Sequence, residues 1–342
     1  MKTRLLIRMA TAVSVGALGA AALSSPVSAD KAGPGGTAGP GNLEARAEIR
    51  VSGHVKGGRS GTTTVSAPAI CWWEKSDVSG DSIESIALIF QVMFGINLDQ
   101  KALDQLKKDE EAGKTFEWYQ RKTSPTASPA QLEAAGCNDF SGPYRGLFIG
   151  LLLRPFEPGN PPEPIPDPEE MADVAMENID LEGPELNWNP KADSLGGGTL
   201  VNLPTWFWVT NPEPAVGDAG GERRVTATAD AGGQQMTVTV TAKASKLQIA
   251  SPAGAASCSI AQARTVYASG TPQSSACTLT FQRASTAYEG GFPVRATVAW
   301  TASWRGTGPG VPAGEQQLDG VVMDSTTNVP VRESQALVKG AS

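Results

Sequence analysis

A single histidine, His54, is the only imidazole base in this 342-residue chain. It lies in "RVSGHVKGGRSGTTT", among glycines and small polar residues. A Ser-His-Asp or Cys-His arrangement needs a base held within hydrogen-bond reach by packing, so hydrolases of those kinds are not expected. The best carboxylate pair is Glu74, beside Trp72 and Trp73, with Asp139, which follows Cys137. A bridge between Cys71 and Cys137 would bring them together, and carboxylate separation decides the mechanism of glycoside hydrolysis. Any chain of this length contains such pairs, so a solvated surface role is the stronger reading. Gly113-Lys114-Thr115 is half of a phosphate-binding loop, but Lys108 stands where the motif needs a glycine, and an acidic helix precedes it. Gly113 reads instead as a helix cap. Asp167, Glu169 and Glu170 lack the glycine-turned spacing of a calcium loop. No catalytic residue, cofactor or metal is assigned.

The four cysteines, Cys71, Cys137, Cys258 and Cys277, contain no C-x-x-C pair, which argues against a Cys₄ zinc site. An even number in an exported chain reads as disulfides, with three possible pairings. The favoured one is local, Cys71–Cys137 and Cys258–Cys277. Export itself is read from "MKTRLLIRMATAVSVGALGAAALSSPVSAD": Lys2, Arg4 and Arg8 precede an apolar stretch, and Val27-Ser28-Ala29 fits a cleavage site. Residues 1–29 are expected to be a signal peptide, with no membrane insertion after its removal. Loss of those three positive charges takes the formal net charge from −7 to −10. An acidic surface argues against nucleic acid as a partner, because phosphate contacts need clustered Lys and Arg.

The elements that would position any site fall into blocks. Residues 30–65 are rich in glycine and small polar residues and read as a flexible segment, within which "ARAEIRVSGHV" could form one strand. Residues 66–155 read as a small helical or α+β domain. Ser82–Phe94 is apolar on nearly every side and predicts a buried helix. Asn97 or Asp99 would cap a second helix running to about Glu111, with Leu98, Leu103 and Leu106 inward. A short helix is expected near "PAQLEAAG", and Leu147–Leu153 reads as a buried strand or helix. Residues 156–184, with "EPGNPPEPIPDPEE", read as a proline-rich acidic linker, followed by a brief helix in "EEMADVAMENIDL".

From about Glu185 to the end at residue 342 the texture is that of short half-buried strands. In "MTVTVTA", Met236, Val238 and Val240 oppose Thr237, Thr239 and Thr241, and "DAGGQQ" is a turn. In "LPTWFWV", Trp206 and Trp208 share one strand face and Phe207 takes the other, while Trp300 and Trp304 share a face in "VAWTASW". The four tryptophans are expected to fill the space between two sheets. "LVNLPTWFWV", "CSI…CTLTFQRAS", "FPVRATVAWTASW" and "VPVRESQALV" together resemble a group of exported actinobacterial proteins whose C-terminal domain is similar to a PKD repeat. That resemblance covers about residues 195–340 and implies an immunoglobulin-like β-sandwich and an envelope location, with no established activity. The chain departs from the pattern at Ser251-Pro252-Ala253-Gly254, which lacks the tryptophan and aspartate of the Trp-x-x-Gly-Asp-Gly turn.

The fold class expected is therefore α+β in two domains: a small, disulfide-braced, mainly helical N-terminal domain and an antiparallel PKD/Ig-like β-sandwich. The function expected is that of an exported, non-enzymatic module for protein–protein interaction or structural support at the cell surface. The alternative is carbohydrate or cell-wall binding through Trp72, Trp73 and Trp188. A carboxylate-dependent hydrolase in the N-terminal domain comes third. The partner would be an envelope protein or a cell-wall glycan.

Overall fold

"RRVTATAD" and "MTVTVTA" alternate small or branched apolar residues with threonine, and they form neighbouring strands. Period two puts one set on each face of a sheet. Val225, Ala227, Met236, Val238 and Val240 are buried, and the threonines between them face outward. The two strands meet at Gly232-Gly233, with φ of 63° and 88°. Two successive residues in the left-handed region make the tight turn whose twist matches a hairpin, which is why glycine occupies both.

The computed structural model describes residues 45–57, 61–76, 92, 99–137 and 153–333, all within one compact unit. Its strands are β1 (Arg46–Gly53), β2 (Gly61–Lys75), β3 (Glu117–Thr123), β4 (Leu153–Phe156) and β5 (Ile165–Pro166). Next come β6 (Leu186–Asn189), β7 (Thr199–Leu200), β8 (Pro204–Val209), β9 (Glu222–Ala231) and β10 (Gln234–Ser251). The last are β11 (Gly254–Cys258), β12 (Cys277–Thr280), β13 (Phe292–Thr307), β14 (Gln316–Val329) and β15 (Val331–Arg332). The helices are α1 (Gln100–Glu111), α2 (Pro129–Ala134), α3 (Pro168–Asn178), α4 (Pro212–Val216) and α5 (Ile260–Arg264).

One 10-stranded sheet carries the molecule, in the order β14-β13-β10-β9-β1-β2-β3-β4, with β11 paired to β10 and β5 to β2. Its named pairs are antiparallel. The inner face, including Phe292, Val294, Ala296, Val298 and Trp300 of β13, is covered by α3 and by a 3-stranded sheet, β12-β8-β6. Met171, Ala172 and Ala175 of α3 and Phe207, Val209 and Leu279 of the small sheet complete one continuous core. The arrangement is sandwich-like.

This corrects the expected fold class. The protein is mainly β, and the described part of residues 66–155 is not a mainly helical domain. The reason lies in β2: its first half pairs with β1 and its second half, from Cys71, pairs with β3. One 15-residue strand thus carries the large sheet through the boundary expected at residue 65 into the disulfide-bearing segment. Within the segment expected to be flexible, β1 lies between β2 and β9, with Ile49 and Val51 fully buried. Within the proline-rich stretch, β5 joins the sheet and α3 packs on it. The helix expected over Ser82–Phe94 lies outside the described residues except for Val92, as does the Leu147–Leu153 run except for Leu153.

Local signals fared better. The Asp99 side chain accepts a hydrogen bond from Lys101 N and caps α1, whose buried residues include Leu103 and Leu106. Ser128 and Gln131 form a reciprocal capping box at α2. At the turn between β10 and β11, the Ser251 hydroxyl accepts from Ala253 N at 3.2 Å and donates to Gly254 O at 3.0 Å. A serine therefore supplies side-chain-to-backbone bonding at this turn.

Both disulfides have the favoured pairing, Cys71–Cys137 and Cys258–Cys277, closing separations of 66 and 19 residues. Loop-closure entropy makes these worth about 4 and about 3 kcal/mol. Cys71→Ala/Cys137→Ala is therefore expected to lose more stability in urea unfolding than Cys258→Ala/Cys277→Ala. The reverse order would show that native-state packing at the bridges outweighs chain entropy.

Candidate functional site

The three tryptophans singled out for a ligand lie on two different sheets. Trp72 and Trp73 are successive residues of β2 and so point to opposite faces. Trp73 meets Phe156 edge-on at 5.1 Å and carries the Arg121 guanidinium at 5.5 Å from its ring centre. Trp188 is on β6 of the small sheet, half-buried, with Lys191 Nζ 3.9 Å from its ring centre. Trp72 and Trp73 cannot share one flat platform.

The catalytic alternatives fare as follows. Lys122 is 3.5 Å from the Glu74 carboxylate, and Asp139 lies outside the described residues. His54 is anchored rather than loose: its backbone N–H donates to Arg224 O at 3.0 Å, and its ring Nδ1 accepts from Arg224 N at 3.2 Å. The imidazole is thus turned toward backbone. Lys114 bonds to Asp109 at 3.1 Å, back across the end of α1. All four cysteines are oxidised and present no thiolate. Asp167 accepts from Glu169 N at 2.9 Å and caps α3.

The tryptophans of the C-terminal half divide between two roles. Trp300 and Trp304 belong to the core between the layers, as expected. Trp206 and Trp208 do not, and Phe207 fills that space instead. Trp206 is on the outer face of the small sheet, covered by the chain after α5: its indole N–H donates to Thr265 O at 3.0 Å, and Tyr267 meets it edge-on at 5.4 Å.

At the start of β3, Glu117 accepts hydrogen bonds from Lys75 and, at 3.0 Å, from the Tyr119 hydroxyl. The Lys75 bond, then the Tyr119 bond, hold its carboxyl below the ordinary carboxylate range, against an opposing effect of desolvation. A carboxyl lowered in the folded state stabilises fully above its unfolded pKa, and that contribution is lost as pH falls through the folded value. Glu117→Gln is expected to flatten the acid side of the stability–pH profile. Thermal unfolding from neutral to acid pH tests this, and superimposable profiles would refute it.

The most site-like feature is a groove of about 420 Å³ between the disulfide-bearing segment and the end of the large sheet. That volume is in the range of small-molecule sites. Ile70 of β2, Ala134 and Ala135 at the end of α2, Trp304 of β13 and Val311 give it apolar walls. Gln131, Gln316, Gln317, Asp167 and Glu169 supply polar groups. Its shape depends on local rules. The capping box holds Gln131 by its oxygen, at 2.9 Å from Ser128 N. Gly310, at φ 74°, packs so close to α2 that a Cβ there would lie 2.9 Å from Ala135 Cα. Glycine is therefore required where the β13–β14 connection meets the helix. The sequence does not mark these side chains as a set, because glutamines on separate elements carry no periodic signal and Trp304 reads as core.

No protein-family model, curated protein or solved structure matches the chain.

Proposed function

We propose that this is an exported, non-catalytic binding protein of the cell envelope, and that the groove between α2 and the β13–β14 connection takes a neutral glycan segment. The lining carries the reading: apolar walls, three glutamine amides, two carboxylates and no lysine or arginine among the lining residues. Pyranose rings present apolar C–H faces flanked by hydroxyls. The accessible apolar surface of Ala130, Ala134, Val311 and Pro312 suits the faces, over a floor of buried Trp304 and Ile70, and amide and carboxylate groups suit the hydroxyls. Without a cation at the groove, phosphate and carboxylate ligands meet only like charge. The amino-terminal pattern of residues 1–29 and the two disulfides support export to an oxidising compartment. Among the described residues, no helix is long and apolar enough to cross a membrane.

The test is titration of the full chain with chitotriose and cellotriose, read by calorimetry and tryptophan fluorescence. Saturable binding is expected, and Gln317→Ala and Glu169→Gln, both at exposed positions, should each weaken it several-fold, as the loss of one hydrogen bond of about 1 kcal/mol implies. No binding of either sugar, or binding indifferent to both substitutions, would overturn the glycan reading and favour a protein-docking role.

A further inference from the structure

The Cys71–Cys137 bridge has a cation beside it. Trp73 of β2 stands opposite Arg121 of β3, and alternation puts Cys71 on the same face as Trp73. Arg121 reaches diagonally to the bridge: it is 6% exposed, and its Nη2 donates to Cys71 Sγ at 3.7 Å. The residues directly opposite Cys71, Thr123 of β3 and Ile165 of β5, are neutral. Cys258 and Cys277, by contrast, sit in the apolar core between the layers.

A neutral disulfide draws little from a neighbouring guanidinium, whereas a thiolate makes a full charge-assisted interaction with it. Arg121 thus favours the reduced state of this bridge, and a disulfide whose reduced form is stabilised is the easier to reduce. The other end of the bridge is weakly held. None of the six residues of α2 is buried, and Cys137 lies three residues beyond it. A short exposed helix opens at low cost, and that opening uncovers Cys137 Sγ, which is buried in the closed form. Ile70, Cys71, Ala135 and Cys137 form one small cluster, and Ile70 and Ala135 also line the groove between α2 and the β13–β14 connection.

We infer that Cys71–Cys137 is a redox-sensitive clamp on that groove, opened by a dithiol reductant. One thiolate of the dithiol attacks Cys137 Sγ; the S–S bond breaks, and its electron pair leaves on Cys71, beside Arg121. The second thiolate of the dithiol attacks the reductant's own sulfur in the mixed disulfide, releasing Cys137 and a cyclic disulfide. Of the two protons given up by the dithiol, one goes to Cys137 and one to solvent, while Cys71 stays a thiolate. Release of Cys137 frees the groove wall that Ala134 and Ala135 form. The identity of the ligand so controlled rests on the glycan reading; the redox step does not.

Equilibration of the full chain in dithiothreitol buffers, with thiol alkylation and mass spectrometry, tests this. Cys71–Cys137 is expected to be reduced at a dithiol ratio about tenfold lower than Cys258–Cys277. Arg121→Met should shift its equilibrium about tenfold toward the disulfide, about 30 mV. Because that variant loses a buried side chain, Cys137→Ala supplies a second reading: its Cys71 thiol should titrate below the ordinary value of about 8.5, followed by thiolate absorbance. Hydrogen exchange at the amides of residues 131–137 should quicken about tenfold on reduction. Prior reduction of Cys258–Cys277, titration of Cys71 at or above the ordinary thiol value, or unchanged exchange at 131–137 would each overturn the inference. Chitotriose titration of the oxidised protein tests the glycan reading separately, since its failure leaves all of these thiol and exchange measurements standing.

Discussion

Asp180→Ala is expected to cost about 3–5 kcal/mol of folding stability. Asp180 and Arg223 form an ion pair of 3.0 Å whose side chains are each 7% exposed. Arg223 occupies an inward position of β9, where its neighbours on the same face are apolar. Asp180 is brought to it by the chain after α3, where Asp180 N donates to His54 O at 2.8 Å and Ile179 bridges Val55. Removing the carboxylate leaves a guanidinium buried without its counter-charge, and the Nε of Arg223 already has no partner. The loss then comes from stranded charge more than from the attraction itself. The double variant Asp180→Leu/Arg223→Met should accordingly recover most of the stability, because replacing a whole buried pair with apolar side chains is often neutral or better. Urea unfolding of the three proteins decides this. If Asp180→Ala cost under about 1 kcal/mol, the pair would be effectively solvated.

Trp300→Ala is expected to cost a similar amount, about 3–5 kcal/mol, by emptying the largest of the fully buried side-chain sites. Trp300 is 1% exposed on the inner face of β13, at the point where the β13–β14 register shifts. Its indole N–H has no hydrogen-bond partner. That orphan gives the more discriminating experiment. Trp300→Phe creates a smaller cavity but also removes a buried unsatisfied donor, a penalty of about 1–3 kcal/mol. The two effects oppose one another, so Trp300→Phe should change stability by less than about 1 kcal/mol. A loss close to that of Trp300→Ala would mean that the N–H is hydrogen-bonded in solution, with ordered water as the natural partner.

Particular residues show which features are legible in sequence. Asp99, Ser128 and Ser259 cap helices by interactions spanning two or three residues, so their roles can be read locally. The alternation of Val and Thr in β10 declares a half-buried strand for the same reason. β1 is different. The sequence reads as a single strand in "ARAEIRVSGHV" within a flexible segment but does not announce its central place in the large sheet, because its partners β2 and β9 lie on either side and β9 comes from the far half of the chain. The candidate groove is less legible still. Gln131 and Gln317 are 186 positions apart, and only the tertiary fold places them on one lining.

From sequence alone, the chain determined its strand-rich C-terminal texture, its helix caps and its hairpin glycines, because these rest on short-range geometry; for the cysteines it left three pairings open and favoured the local one, which the structure has. Only the tertiary structure decided that the large sheet continues through Cys71 to β4, that Phe207 rather than Trp206 enters the core, and which side chains share a groove. Alternation along a strand separates its two faces but does not say which face meets a partner layer. That choice belongs to the packing of distant segments, where burial of Ile49, Val51 and Phe207 against one continuous core outweighs local preference.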